Sequence, residues 1–452
     1  MTTKQKNSIY TLKNKSTLYL DKDITVEGWI RNNRVGKAVS FLVINDGSGL
    51  EELQIVYHSK GKKQYDYDDL QKWPVGSAVV ITGKLVVAKN EIEKVELLLK
   101  NIRLINATET DYFLQKKAHN LEFLRAHSEL RARSRYFFSI FRIRNELTKA
   151  IHTFFQNANY HYLQSPVITN NDCEGGGESF ILNQKSFFKK TALLSVSGQL
   201  HAEGMAQAFK KVYTFGPTFR ADKSNTRFHA SEFWMLEPEI AFATVKDGMK
   251  IVEDLIKSII RQIQNNMKPE INYLSEQNNV NLNERLQKLI DESFLNLTYS
   301  EAIKMLKKHS EKFEIKEILW GIDLQKEHEK FLCEKMNAPV FITDYPKQIK
   351  AFYMKQNNDG KTVACFDLLL AGIGEIVGGS ERENDFEKLK QACEAKEIFS
   401  KESEWYLNLR KQGFAGSTGF GLGFDRLLMY LTGVQNIRDV IPFYSGFGIL
   451  KY

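Results

Sequence analysis

The chain has four cysteines, Cys173, Cys333, Cys365 and Cys393, and no two of them form a CxxC pair. That scatter argues against a thiolate zinc site and against a disulfide framework, and it fits a reducing cytoplasm. No uninterrupted apolar run reaches the roughly 18 residues of a membrane span, and the opening MTTKQKNSIYTL lacks the apolar core of a signal peptide. The expectation is a cytoplasmic protein with no membrane partner. Internal repeats and long low-complexity tracts are absent too. What is present is length and positive charge. A chain of 452 residues is too long for one ordinary core and suggests two or three domains. Its formal net charge of +8 suits phosphate-bearing partners, although a generally lysine-rich composition would give the same excess.

Pattern shifts divide the chain. Residues 20–105 hold short strand-like runs, TVEGWI, AVSFLVI, LEELQIVY, SAVVITGKLVV and VELLLKNIRLI, with an Asp46-Gly47 hairpin step between the second and third. Five such strands suit a small β-barrel of the OB-fold type, a common platform for single-stranded nucleic acid. Residues 106–133 are polar and helical and read as a hinge. Residues 134–452 then form the larger domain, α+β in class. Within it, 270–335 reads as a helical insertion with no usable motif.

Three segments of that domain carry chemistry. The first, Val212–Phe242, reads as two strands around a charged loop, VYTFGPTFRADKSNTRFHASEFWMLEPEIAF. Period-two alternation puts Phe233, Met235, Glu237 and Glu239 on one face, with Trp234 and Leu236 on the other. Carboxylates on an apolar strand need partners, and the loop offers Arg220, Lys223, Arg227 and His229. A surface hairpin with salt bridges would read the same way. The second, GFGLGFDR (Gly419–Arg426), runs into the apolar helix LLMYLTG. Alternate glycines let a strand lie close to a planar ligand, and the arginine at the strand–helix junction can reach phosphate. The third is an amphipathic helix from Phe138, with Ile140, Ile143, Leu147 and Ile151 at helical spacing, ending in an extended YLQSPVIT around Pro166.

In this order the three segments resemble the signature motifs of class II aminoacyl-tRNA synthetases. NDCEGGGESF, SVSGQL, GEIVGGSERE and GFGLGFDRLLMYLTGVQNIRDVIPF are similar to the asparaginyl members of the aspartyl–asparaginyl–lysyl subgroup. The resemblance runs from the N-terminal GWIRNNR to the C-terminal IRDVIPF. It implies an OB-fold anticodon-binding domain at 1–105 and a catalytic domain on an antiparallel sheet flanked by helices at 134–452. It further implies ATP, Mg²⁺, L-asparagine and tRNA(Asn) as reactants or ligands, and a homodimer joined through the helix from about Tyr136 to Phe155 and the strand ending at Pro166.

Residue by residue, the resemblance implies that Arg220 binds the α-phosphate and the amino-acid carboxylate, and that Arg426 clamps the γ-phosphate side. Phe233 would sandwich adenine, with Asp222, Arg227, His229, Glu375 and Gly423 completing the ATP site. Asp367 and Glu375 would hold Mg²⁺. The amino acid would meet Glu174, Ser197, Gln199, Glu237 and Arg382, with Glu174 on a glycine-rich mobile loop. On the barrel, Phe41 and Gln54 match residues that read the central anticodon uridine, and Arg31 and Arg34 match neighbouring contacts.

Two positions depart from the pattern. The family usually carries FRAE where this chain has Asp222, and Ser-Arg before the loop histidine where it has Arg227-Phe228. Aspartyl enzymes add a lysine in a QLYK-type segment; this chain has SGQLHAE, with Ala202 at that place. One arginine, no lysine, and Glu237 as an acceptor for an amide NH₂ favour asparagine over aspartate. An aspartyl enzyme and a catalytically dead RNA-binding paralogue stay open on residues alone.

Overall fold

The computed structural model describes residues 7–59, 67–88, 94–109, 112–114, 119–171, 179–396 and 403–452. The chain divides into two compact units, residues 1–138 and 139–452.

The first unit is a closed five-stranded barrel in the order β1-β2-β3-β5-β4, with β1 at Asp23–Arg34, β2 at Val39–Asn45, β3 at Leu53–His58, β4 at Ala78–Val87 and β5 at Val95–Asn106. The alternation legible in the sequence sets the inside. Ile24, Val26, Leu42, Ile44, Ile55, Val79, Ile81 and Leu97 fill the core, while Phe41 and Val43 point out between them. The β2–β3 hairpin forms, but its loop is longer than two residues. Gly47 takes φ 82° there, and the Asn45 and Asp46 side chains accept from the Gly47 and Ser48 amides. The segment read as a hinge belongs to this unit. Its described part is strapped to the barrel by Thr108, whose hydroxyl donates to the Val75 carbonyl, and by the Arg133 carbonyl, which accepts from Arg31.

The second unit is built on eight strands: β6 (His161–Leu163), β10 (Lys211–Phe219), β11 (Glu232–Ala241), β12 (Leu295–Thr298), β13 (Val340–Thr343), β14 (Cys365–Leu370), β15 (Gly374–Glu381) and β16 (Ser417–Gly423). A separate small sheet comprises β7 (Ile168–Thr169), β8 (Ile181–Leu182) and β9 (Ala192–Leu194). The main sheet runs β12-β13-β14-β15-β16-β11-β10-β6, antiparallel except at its two edge pairs. The helix Val245–Asn266 buries Val252, Leu255, Ile256, Ile259, Ile260 and Ile263, a single stripe of period 3.6. The 270–335 segment is only partly an insertion. It contributes β12, which pairs in parallel with β13, and the helix Lys326–Met336, whose side chains reach the site described next.

Candidate functional site

Four neighbouring strands present their residues to one face of the main sheet. Register places Asp367 opposite Gly378, Gly378 opposite Gly421, Ser380 opposite Gly419, and Gly419 opposite Glu239. The β10–β11 hairpin adds Phe233, Met235 and Glu237 on the same face, with Trp234 and Leu236 turned the other way, as alternation requires. The absence of side chains at the glycines leaves the floor of two adjoining cavities, ≈ 160 and ≈ 250 Å³. Arg220, Met235, Glu375 and Gly421 belong to the walls of both.

The first cavity is walled by Arg220, Asp222, Phe228, His229, Phe233, Gly423 and Arg426, among others. The Arg220 guanidinium lies 5.3 Å from the Phe233 ring centre. The loop between β10 and β11 is pinned from the C-terminal segment: Tyr444 donates to the His229 carbonyl, and the Ile437 amide donates to the Arg227 carbonyl. Arg426 is set by its neighbour Asp425, which is buried, accepts from Arg144 at 2.5 Å and receives the Trp234 amide at 2.9 Å. Burial, then the charges of Lys326 and Arg426, lower the His229 pKa, so the ring is neutral at pH 7; its Nδ1 lies 2.5 Å from the Thr226 hydroxyl. Arg227 departs from expectation. Its side chain is exposed and lines neither cavity, because the loop turns Phe228 into the wall instead.

The second cavity is lined by Ser197, Gln199, Glu237, Glu239, Lys350, Tyr353, Asp367 and Arg382, among others. Its far end is a buried ionic network. Arg382 donates Nε and Nη2 to Glu239 at 2.8–3.2 Å and Nη1 to the Ser380 hydroxyl at 2.9 Å. Burial works against the Arg382 charge, and Glu239 more than offsets it, so its pKa stands above the usual arginine value. Behind this pair, Glu203 accepts from Arg410 at 2.8 Å, Tyr406 at 2.7 Å and Gln199 at 3.0 Å. Gly419 is required here: a Cβ would fall 1.9 Å from Glu239 Oε2 and 2.4 Å from Arg382 Nη2.

Glu237 lines the second cavity, as the sequence reading has it, and is also held by the protein itself. Its carboxylate accepts from the Ser197 hydroxyl, the Gly198 amide and the Thr214 hydroxyl, which fixes the turn into the helix Gln199–Phe209. The carboxylate that meets Arg382 is Glu239, two residues on. Ala202 lines neither cavity and lies in a small apolar cluster with Ala206, Val212 and Ala241.

Asp367 and Glu375 converge. A Cβ on Gly378 would stand 3.1 Å from Glu375 Oε1 and 3.4 Å from Asp367 Oδ1. Asp367 accepts from Lys350 Nζ at 2.5 Å, and burial followed by the Asp367 charge raises the Glu375 pKa to about 7. A buried carboxylate and a half-buried one that repel each other form a hard-oxygen donor pair suited to a divalent cation, with phosphate and water as its remaining ligands. No group of three or more His, Cys, Asp or Glu side chains able to hold a metal occurs among the described residues.

On the barrel, Arg34, Phe41 and Gln54 come together. The Arg34 guanidinium lies 5.5 Å from the centre of the half-buried Phe41 ring and donates to Gln54 Oε1 at 2.8 Å, while Gln54 Nε2 donates to Glu96. Arg31 sits at the β1 bulge, with its guanidinium donating to the Arg133 carbonyl at 2.6 Å. Glu174 lies outside the described residues. Lys326, Glu329, Lys350, Tyr406 and Arg410 were not anticipated, since they stand in helical or loop stretches without a pattern of their own; Glu203 closes the SGQLHAE segment, where only its neighbours were singled out.

The cavities and the barrel cluster belong to two recognisable domains. Residues 120–445 match the family of class II tRNA synthetases (D, K and N), and residues 24–105 match the OB-fold nucleic acid binding domain. The chain is 49% identical over 435 residues to the asparagine–tRNA ligase of Mycoplasma mycoides subsp. mycoides SC, covering 94% of this chain and 95% of that one. To the asparagine–tRNA ligase of Clostridium tetani it is 45% identical, over 97% of this chain and 98% of that one. The crystal structure of the Pyrococcus horikoshii asparaginyl-tRNA synthetase complexed with asparaginyl-adenylate superposes with a TM-score of 0.87 at 29% identity, over 98% of both chains. The chain belongs to the class II tRNA synthetases of this subgroup and, within it, to the asparagine–tRNA ligase family.

Proposed function

We infer that the chain is an asparagine–tRNA ligase, which joins L-asparagine to ATP as asparaginyl-adenylate, releases pyrophosphate, and transfers the asparaginyl group to tRNA(Asn). The observation that carries the choice of amino acid is that the Arg382 charge is already neutralised while two of its N–H groups are still available. Glu239 already neutralises it, Lys350 is neutralised by Asp367, and Arg410 by Glu203. A substrate side-chain carboxylate at the Arg382 end would meet only cations already neutralised by protein carboxylates, with Arg220 taken by the α-carboxylate, whereas a neutral carboxamide can share the remaining hydrogen bonds at no cost in unpaired charge.

Neither half-reaction needs a protein nucleophile; both need positioning and charge stabilisation. Arg220, common to both cavities, is suited to hold the amino-acid carboxylate against the α-phosphate and to stabilise charge developing there. Phe233 offers a ring for adenine, with Asp222, His229 and Gly423 shaping the same cavity and Arg426 facing the outer phosphates. Ser197, Gln199 and Glu237 form a polar, negatively charged side for the α-ammonium group. Asp367 and Glu375 are the residues that would hold Mg²⁺, which would neutralise phosphate charge. ATP–pyrophosphate exchange run with each amino acid tests the reading: asparagine supports exchange, and equal exchange with aspartate would overturn it.

The barrel cluster of Arg34, Phe41 and Gln54 is the anticodon reader in this proposal, with Phe41 stacking an unpaired base. Phe41→Ala should weaken aminoacylation by an amount worth about 1–3 kcal/mol of stacking, with pyrophosphate exchange unchanged. Equal loss in both assays would mark Phe41 as structural. The homodimer is supported by apolar surface around Pro166: Tyr162, Val167 and Ile168 are exposed, and β6 is an edge strand. A cytoplasmic site of action is supported by the buried, unpaired thiols of Cys333, Cys365 and Cys393.

A further inference from the structure

Lys326 is the first residue of the helix Lys326–Met336, and its placement is costly in three ways. A cation at a helix N-terminus opposes the helix dipole. Its ammonium makes no ion pair among the described residues and instead lies 3.8 Å from the centre of the Phe228 ring. Arg426 stands close enough that, after burial, its charge is the next cause lowering the Lys326 pKa, and Glu329 offsets this only in part. The ring it covers is a wall of the ATP cavity. The loop therefore brings an aromatic ring to that wall, and a separate helix brings the charge. Lys326, Arg426 and Arg220 all act on His229, and Asp222 opposes them; Arg220, Asp222 and Arg426 line the cavity beside the ring, and Lys326 reaches it across Phe228. Of the other carboxylates around it, Glu329 accepts from the Glu375 amide and shares its charge between Lys326 and Arg426, Asp425 accepts from Arg144, and Glu375 faces Asp367.

We propose that Lys326 is a phosphate-binding residue of the ATP site, seated on Phe228 so that its ammonium meets the β- and γ-phosphates of ATP beside Arg426. The inference rests on the ATP reading of this cavity and deepens it. A polyphosphate relieves the repulsion among the cations, which gives the lysine more favourable interactions with ligand bound than without. The contact is absent for AMP, whose single phosphate lies at the Arg220 end. Lys326 thus contributes to binding ATP and pyrophosphate without contributing to binding of the nucleoside.

The test is calorimetric titration of the full-length chain with α,β-methylene-ATP and, separately, with AMP. Lys326→Met should weaken the ATP analogue by about tenfold to a hundredfold, the equivalent of one hydrogen bond to a charged group, and leave AMP unchanged. Lys326→Arg should restore most of the loss. Unchanged affinity for the analogue in Lys326→Met would overturn the proposal. Parallel weakening of both ligands would also overturn it, since the lysine would then only hold Phe228 in place. Failure of the unaltered chain to bind either nucleotide would instead overturn the ATP reading itself.

Discussion

Arg220→Gln should lower ATP–pyrophosphate exchange by about two to three orders of magnitude, the usual loss when one preorganised donor to a developing charge is removed. Arg220 is the one arginine common to the walls of both cavities, so it stands where a carboxylate nucleophile and an α-phosphate must meet. Glutamine keeps some hydrogen bonding on a shorter side chain but removes the charge. The thermal midpoint should hardly move, because the guanidinium lines open cavity and is no part of the buried ionic network. A loss confined to KM, with kcat unchanged, would show that Arg220 binds the ground state and transition state equally, and would contradict its assigned role.

Arg382→Leu should act on stability and activity together. Glu239 is 1% exposed and would lose its double hydrogen bond in the interior. Removing one member of such a pair costs about 3–5 kcal/mol, readable as a lower urea midpoint. Asparagine activation should vanish with it. The double variant Arg382→Leu/Glu239→Leu separates the two effects. Replacing both charges with apolar groups should recover much of the midpoint, while activity stays lost because nothing remains to orient the carboxamide. Recovery of exchange in the double variant would show that the pair serves only the fold.

Much of this molecule was legible in its sequence. The barrel strands follow period-two patterns whose inward residues, such as Leu42 and Ile44, alternate with outward ones such as Phe41. The β11 alternation places Phe233, Met235, Glu237 and Glu239 on one face, because a strand has no freedom to do otherwise. Ordered motifs carry the family, and with it the position of the glycine-rich strand against the hairpin. These are local consequences of chain geometry, or patterns long enough to be specific.

What the sequence left undecided is which charge meets which. Glu237 and Glu239 are equivalent by alternation, yet one fixes the Ser197–Gly198 turn and the other takes Arg382, because the neighbours differ: Thr214 and Gly198 stand beside the first, and Ser417 and Ser380 by the second. Arg227 and Phe228 differ by one position, and only the tertiary contacts of the loop with Ile437 and Tyr444 decide which faces the cavity. Lys326, Lys350 and Arg410 come from segments with no readable motif and reach the site only because the sheet and its flanking helices bring distant residues together. Local period and propensity are properties of neighbouring residues in the chain and so are written in the sequence alone. The pairing of buried charges depends on distances across the fold, and only the tertiary structure sets those.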